Sequence, residues 1–275
     1  MKFILDERQY ALDLLENGTI GKSEKISIRI LLKYYRSLGL TKDQAIADLF
    51  DFMATSVSHF RKSDWEDLVN HYATSVYDSD KADLVCVKEV VITKSEWDTL
   101  LSVEDEKKQR VLYCLLVYKK VQNEMNHQYN EWFYGNLSEI FKMAKISGRY
   151  ATVHAQCMTI YELKEAGYLS LAKSIKSLNL KLNYIEPTEG LADESVAFVV
   201  RNFEDVLYEY YLERQIRTVR CEICHKAIKL KKNERTNRKY CRSCQQIAKN
   251  KRSIQSYHRQ KFPKIEEALT GKSKK

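Results

Sequence analysis

Four cysteines near the C-terminal end constrain the fold of this chain more than any other feature. They form two pairs separated by sixteen residues, Cys221-x2-Cys224 and Cys241-x2-Cys244. Each pair places two sulfurs on one tight turn, and two such turns complete a tetrahedral site. Zn²⁺ suits four thiolates, and four protein ligands leave no open position, so we expect one structural Zn²⁺. An iron–sulfur cluster could use the same four thiolates.

The rest of the chain has the composition of a soluble protein from a reducing compartment. The first eighteen residues mix apolar and charged side chains, which is unlike a secretion signal. No apolar run approaches the length of a membrane-spanning helix. Cys86, Cys114 and Cys157 lie singly among apolar residues, and we expect inert, buried thiols there. We therefore expect a cytoplasmic location and no membrane partner.

Positive charge is concentrated at one end of the chain. Residues 1–216 hold 27 Lys and Arg against 33 Asp and Glu, whereas residues 217–275 hold 19 against 4. The last 59 residues therefore carry a net charge of +15. A charge block of this size attracts polyanions, and nucleic acid is the first candidate.

The N-terminal part has the periodicity of packed helices. Apolar residues recur at helical spacing within residues 4–15, 26–38 and 45–53, and Thr41 with Gln44 forms a capping box. The run YYRSLGLTKDQA, within about thirty residues of helix–Gly–helix pattern, resembles the small helical module at the C-terminus of phage and plasmid primases. A helical hairpin that packs a core accounts for the same pattern.

In the central part of the chain, the predicted helices and strands follow one another in an order that indicates a known type of domain. A short strand, VCVKEVVI (85–92), is followed by a helix capped by Thr93 and Glu96, and then by a long apolar helix that Ser102 opens. Another helix, a tight turn, a helix over about 150–166 and two β-like runs, 168–172 and 178–185, complete the unit. The second run alternates apolar and polar residues, which predicts a strand with Leu180 and Leu182 on one face and Lys181 on the other. This order resembles the winged helix-turn-helix domains of phage and plasmid replication proteins and regulators.

In a winged helix, the outward residues of the second helix of the motif reach base edges, and the hairpin touches the backbone. We expect Val153, Cys157, Ile160 and Tyr161 to face inward on this helix. The resemblance then implies the following DNA contacts on the helix and on the hairpin: Arg149, Tyr150, Thr152, Gln156, Lys173, Lys176 and Lys181.

The stretch after Cys241 has no helix breaker before Pro263 and predicts a basic helix that begins at the second cysteine pair. The pattern CEIC…KYCRSC with such a helix resembles the treble-clef or ribbon-like zinc fingers of bacterial and phage DNA-binding proteins. We expect Ile247 and Ile254 to pack on the cysteine turns. The predicted phosphate contacts are Lys229, Lys231, Lys232, Arg235, Arg238, Lys239, Arg242, Lys249, Arg252 and Arg259. About six such contacts give a slope near −5 for log K against log salt concentration.

The sequence thus predicts a mainly α fold with small β elements. It divides into an N-terminal helical unit (1–85), a winged helix-like domain (86–188), a connector (189–216), a four-Cys zinc module (217–262) and a basic tail (263–275). We find no catalytic constellation, so we do not expect an enzyme. DNA binding in the replication or regulation of a phage or other mobile element is the favoured function. RNA binding, or an adaptor role with replication or transcription proteins, stays open.

Overall fold

The computed structural model describes residues 3–21, 23–79, 82–172, 179–188, 190–231, 233–234 and 236–261, without the side chains of 255 and 258–261. The chain is mainly helical with small sheets, as predicted. It divides into two compact units. The first comprises Met1–Trp97, Leu115–Gly135 and Lys164–Val199, and the second comprises Asp98–Cys114, Asn136–Leu163 and Val200–Lys275.

Four helices begin the first unit, namely α1 (Glu7–Asn17), α2 (Glu24–Ser37), α3 (Lys42–Ser56) and α4 (Lys62–Tyr77). The apolar stripe of α2 lies at the centre, with Ile28, Leu31 and Leu32 fully buried. Its neighbours include Leu49 of α3 and Val69 of α4. The predicted capping box of α3 is present, because the Thr41 hydroxyl accepts from the Gln44 amide and the Gln44 side chain accepts from the Thr41 amide.

The helices and strands that follow in the chain are β1 (Val90–Thr93), α5 (Lys94–Leu101), α6 (Glu106–Asn126), β2 (Trp132–Phe133), α7 (Leu137–Met143), α8 (Val153–Glu165), β3 (Leu169–Leu171), β4 (Leu180–Leu182), β5 (Val196–Val200) and α9 (Leu207–Glu213). Two more strands and a helix close the described chain, namely β6 (Thr218–Arg220), β7 (Ala227–Lys229) and α10 (Arg242–Lys261).

Two small sheets belong to the first unit. β2, β4 and β3 form an antiparallel sheet in that order, with Phe133 opposite Leu180 and Leu169 opposite Leu182. The alternation predicted for β4 is present, since Leu180 and Leu182 are fully buried and Lys181 between them binds Glu131 at 2.5 Å. β1 pairs with β5 in a second sheet.

Helix α6 begins later than the sequence predicts. Ser102 ends α5 instead, where its hydroxyl donates to the Thr99 carbonyl at 2.7 Å. Asp105 takes the capping role, because its side chain accepts from the amides of Lys107 and Lys108. The apolar centre of α6, residues 111–118, is buried as predicted.

The second unit has a core in which α9 supplies tyrosines. Tyr210 and Tyr211 are buried, and the ring of Tyr113 lies 5.2 Å from that of Tyr210. The Tyr210 hydroxyl donates to Gln109 at 2.8 Å, which satisfies it away from water. Burial raises the pKa of Tyr210 to about 12.

The inward face of α8 differs from the prediction. Gln156, Ile160 and Leu163 are buried, whereas Val153, Cys157 and Tyr161 are exposed. A polar residue takes an inward position because its side chain is satisfied there: the Gln156 amide group donates to the Ala151 carbonyl and its oxygen accepts from the Ser138 hydroxyl. The prediction that Cys86 and Cys157 are buried is wrong, and that for Cys114 is confirmed.

Candidate metal centre

The first pair of cysteines lies at the tip of a β-hairpin. β6 and β7 pair antiparallel, with Arg220 opposite Ala227. Cys221 follows β6 directly, and its amide donates to the Lys226 carbonyl while its carbonyl accepts from the His225 amide. His225 takes a left-handed conformation with φ of 51°, which closes the turn. Cys221 and Cys224 are thereby held on one side of a tight turn.

The second pair lies at the start of α10, as predicted. Cys241 precedes the helix and Cys244 is in its first turn, where the Cys244 amide donates to the Cys241 carbonyl at 3.1 Å. One backbone bond, from the Glu222 amide to the Lys239 carbonyl at 2.9 Å, joins the two cysteine turns. The Cys241 amide also donates to the Cys221 sulfur at 3.3 Å.

The four sulfurs converge on one point. All four lie within 4.8 Å of one another, and the Cys224 and Cys241 sulfurs are 3.6 Å apart. A tetrahedral zinc site with Zn–S bonds of about 2.3 Å requires sulfurs about 3.8 Å apart. None of the four is in a disulfide. The cluster therefore has the donor set and the spacing for one metal ion.

Local hydrogen bonds favour the thiolate form at one cysteine of each pair. At Cys241, burial acts to raise the pKa, but the Ser243 hydroxyl and the Cys244 amide outweigh it and bring the pKa to about 6. At Cys221, burial is likewise outweighed by neighbouring amides, and the pKa is lowered. The pKa of Cys244 is raised to about 12, chiefly by the adjacent Cys241 sulfur. A bound cation would replace the sulfur–sulfur hydrogen bonds, because it binds all four sulfurs as thiolates.

The apolar core around the sulfurs is small. Ile228 is buried against Cys221 and Cys244, and Val219 and Tyr240 pack partly against them. So few apolar contacts do not offset the conformational entropy that about forty residues lose on folding. Small modules of this kind obtain the missing folding free energy from a bound metal. The prediction that Ile247 and Ile254 also cover the cysteine turns is wrong, because both are more than half exposed.

A polar clamp attaches the hairpin to the rest of the second unit. One carboxylate oxygen of Asp205, which is 6% exposed, accepts from the Ala227 amide and from the Lys145 ammonium, each at 2.6 Å. Lys145 also donates to the Ala227 carbonyl at 3.3 Å. Lys229 binds Glu106 at 2.5 Å and lies 4.4 Å from the centre of the Tyr211 ring. No sequence pattern reveals this clamp, because its members are 22 to 123 residues apart.

The structure separates the predicted phosphate contacts into three groups. Lys229, Arg238 and Lys239 bind the carboxylates of Glu106, Glu234 and Glu222. Lys231, Arg242, Lys249 and Arg252 are exposed. Lys232, Arg235, Lys173 and Lys176 lie outside the described residues, as does the side chain of Arg259.

The predicted contacts on α8 are only partly accessible. Arg149, Tyr150 and Thr152 are exposed, and the Arg149 guanidinium donates to the Tyr150 hydroxyl. Gln156 is buried, so the expectation that it faces outward is wrong. Lys181 is half-buried in its ion pair with Glu131.

No protein-family model, no curated protein and no solved structure matches the chain. Among the helices of the described residues, none is both long enough and apolar enough to cross a bilayer.

Proposed function

We propose that the four cysteines bind one structural Zn²⁺. The convergence of four sulfurs on one point, in a module with little apolar core, supports this proposal. Four thiolates leave no position for a substrate, which favours a structural role over a catalytic one. Elemental analysis of the purified chain should give one zinc per chain and none in Cys221→Ser. Visible absorption with bound iron would instead establish an iron–sulfur cluster.

We further propose that the zinc module binds nucleic acid, with duplex DNA the favoured ligand. The observation that supports this is the composition and exposure of α10. Arg242, Lys249 and Arg252 are exposed, and the described helix contains no Asp or Glu. Arg242 and Lys249 are seven residues apart, two helical turns, so they lie on one face. A helix held at its first turn by a metal offers these cations to phosphates without competing carboxylates on the same helix.

A proposed winged helix is the second part of this function. The chain order α6, β2, α7, α8, β3, β4 and the sheet order β2-β4-β3 support it, because a winged helix has this succession of elements. The proposal agrees with the resemblance to replication proteins and regulators of phages and plasmids. Base contacts remain a prediction for Arg149, Tyr150 and Thr152 alone, since Gln156 is buried.

The test is a titration of a fluorescent random-sequence duplex at several salt concentrations. We expect the triple variant Arg242→Glu, Lys249→Glu and Arg252→Glu to bind far more weakly and with a salt slope smaller by about 3. The matched control reverses three exposed cations on α1 and α2, Arg8→Glu, Lys25→Glu and Arg29→Glu, which changes the net charge equally. An equal loss in both variants would refute the assignment to α10.

Two further outcomes separate the alternatives. If single-stranded or structured RNA displaces the labelled duplex better than unlabelled duplex DNA does, RNA is the ligand. Weak binding to all naked nucleic acids, with a protein partner retained after nuclease treatment, would favour the adaptor.

A further inference from the structure

Two cations from separate segments of the second unit lie against the ring of Tyr150. The Lys107 ammonium, from the first turn of α6, is 3.6 Å from the ring centre, and the Arg149 guanidinium is 4.9 Å from it. The guanidinium also donates to the Tyr150 hydroxyl at 2.9 Å. All three side chains are exposed. The cluster therefore presents two positive charges and one hydroxyl to solvent at a single point.

The two carboxylates that directly precede Lys107 in the chain are engaged elsewhere. Asp105 accepts from two amides in the first turn of α6 as its cap. Glu106 binds Lys229 at 2.5 Å. Among the residues that the structure describes, neither Lys107 nor Arg149 forms a direct ion pair with a carboxylate. The positive charge of the cluster is therefore not neutralised within this part of the chain.

Two like charges held this close repel each other. Because both lie against one ring, they are at most about 9 Å apart, which is inside the Debye length of about 10 Å at 0.1 M salt. The face of an exposed ring attracts a cation only weakly. The hydrogen bond from Arg149, and then the charges of Arg149 and Lys107, lower the pKa of Tyr150. An anion bound between the two cations would offset their repulsion.

We propose that Lys107, Arg149 and Tyr150 form a site for one backbone phosphate of the DNA that the winged helix binds. This inference rests on the proposed DNA binding by that domain. The two cations bind the charged oxygens of the phosphate. The Tyr150 hydroxyl accepts from Arg149, so its own proton can be donated to a phosphate oxygen. Arg149 and Tyr150 then contact the backbone, and Thr152 alone keeps the predicted base contact.

The position of the cluster favours a nucleic-acid phosphate over a free anion. Arg149 and Tyr150 lie directly before α8, whose first turn is the part predicted to reach the bases. Phosphate contacts beside such a helix fix its position on the duplex. All three side chains are exposed, so a small anion would keep most of its water there. A duplex instead brings its phosphate as one of several contacts and releases counterions.

The test measures the affinity and the salt slope of the zinc-loaded full chain for three duplexes of different sequence. The double variant Lys107→Gln, Arg149→Gln should bind every duplex about tenfold more weakly. Its salt slope should be smaller by about 1, because both cations hold the same phosphate. The matched control is Arg61→Gln, Lys62→Gln, two exposed cations of the first unit, where the Lys62 ammonium likewise lies over a ring, that of Phe50, at 5.0 Å. This control should bind like the natural chain.

Two single variants separate the charges from the hydroxyl. Lys107→Arg keeps the charge and should keep the salt slope of the natural chain. Tyr150→Phe removes the hydroxyl alone, so binding should weaken about threefold while the slope stays unchanged. The three positions are exposed, so none of these changes should unfold the chain, which far-ultraviolet circular dichroism checks.

Several results would overturn the proposal. A slope smaller by about 2 in the double variant would place the cations on separate phosphates, and a loss confined to one duplex would indicate a base contact. Unchanged binding by the double variant would also overturn it. So would calorimetric binding of inorganic phosphate that the double variant loses while its DNA binding stays intact. If only the α10 triple variant loses affinity, this proposal fails alone; if the natural chain binds no duplex, the proposed function fails with it.

Discussion

Lys119 is a buried lysine whose charge should cost stability at neutral pH. It lies in the half of α6 that belongs to the first unit and is 1% exposed. Burial lowers its pKa from 10.5 to about 8. The ammonium lies 5.8 Å from the centre of the Tyr134 ring, which offers only a weak attraction.

The pKa difference sets the size of the effect. A difference of one pKa corresponds to about 1.4 kcal/mol, so the charged form costs the folded state about 3 kcal/mol below pH 8. Between pH 8 and 10.5, the folded state has released the proton and the unfolded state still binds it. The free energy of unfolding therefore rises with pH in this window, by at most about 1.4 kcal/mol per pH unit.

The variant Lys119→Met removes the charge and keeps a flexible chain of similar volume. We expect it to be more stable than the natural chain by about 3 kcal/mol at pH 7 and by about half as much at pH 9.5. With an m-value of about 2 kcal/mol/M, the urea midpoint at pH 7 should rise by about 1.5 M.

Tryptophan fluorescence is the suitable readout, because Trp65, Trp97 and Trp132 all belong to the first unit. Lys94→Met, at an exposed position of α5, is the matched control and should follow the natural chain. Equal pH slopes for Lys119→Met and the natural chain would refute the assignment, as would a less stable Lys119→Met at pH 7.

Three further predictions concern caps, the clamp and the metal. Thr41→Ala should lower the free energy of unfolding of the first unit by about 1 kcal/mol, measured by urea denaturation, because α3 loses its capping box. Asp205→Asn should destabilise the β6–β7 hairpin by about 2 kcal/mol, since the ion pair with Lys145 is lost and the Ala227 amide keeps at best a neutral acceptor, and faster hydrogen exchange within residues 218–229 would show it. Removal of zinc by a chelator should reduce the helical circular dichroism signal, because α10 loses its anchor, and should leave the tryptophan fluorescence of the first unit unchanged. A simultaneous loss of both signals would contradict the division into two units.

Features set by a few neighbouring residues could be predicted from the sequence. The capping boxes at Thr41 and Thr93 are present because a cap joins residues only three positions apart. The cysteine cluster follows from two x2 spacings, each of which fixes its pair on one turn. The strand alternation of β4 is likewise a local pattern with a period of two.

Features that depend on distant partners could not be predicted. The orientation of α8 depends on the hydrogen bonds that satisfy Gln156, one of which comes from Ser138, eighteen residues earlier. Periodicity alone favours the apolar row as the inward face, and that row is exposed. The Asp205 clamp also joins residues for which the sequence has no common pattern. The domain boundaries predicted from the sequence remain a prediction.

The number of cations in the sequence overstates the phosphate contacts of the zinc module. Lys229 and Arg238 are each bound to a carboxylate, and a phosphate contact would have to replace that pair. The exposed pair of Lys239 with Glu222 is weaker, because water screens it, so Lys239 exchanges partners more easily. Four predicted cations, Lys231, Arg242, Lys249 and Arg252, are exposed and form no direct ion pair with a carboxylate among the described residues. Four contacts give a salt slope of about −4 for one module, instead of the −5 that six contacts give. A slope near twice that value would require two modules on one duplex.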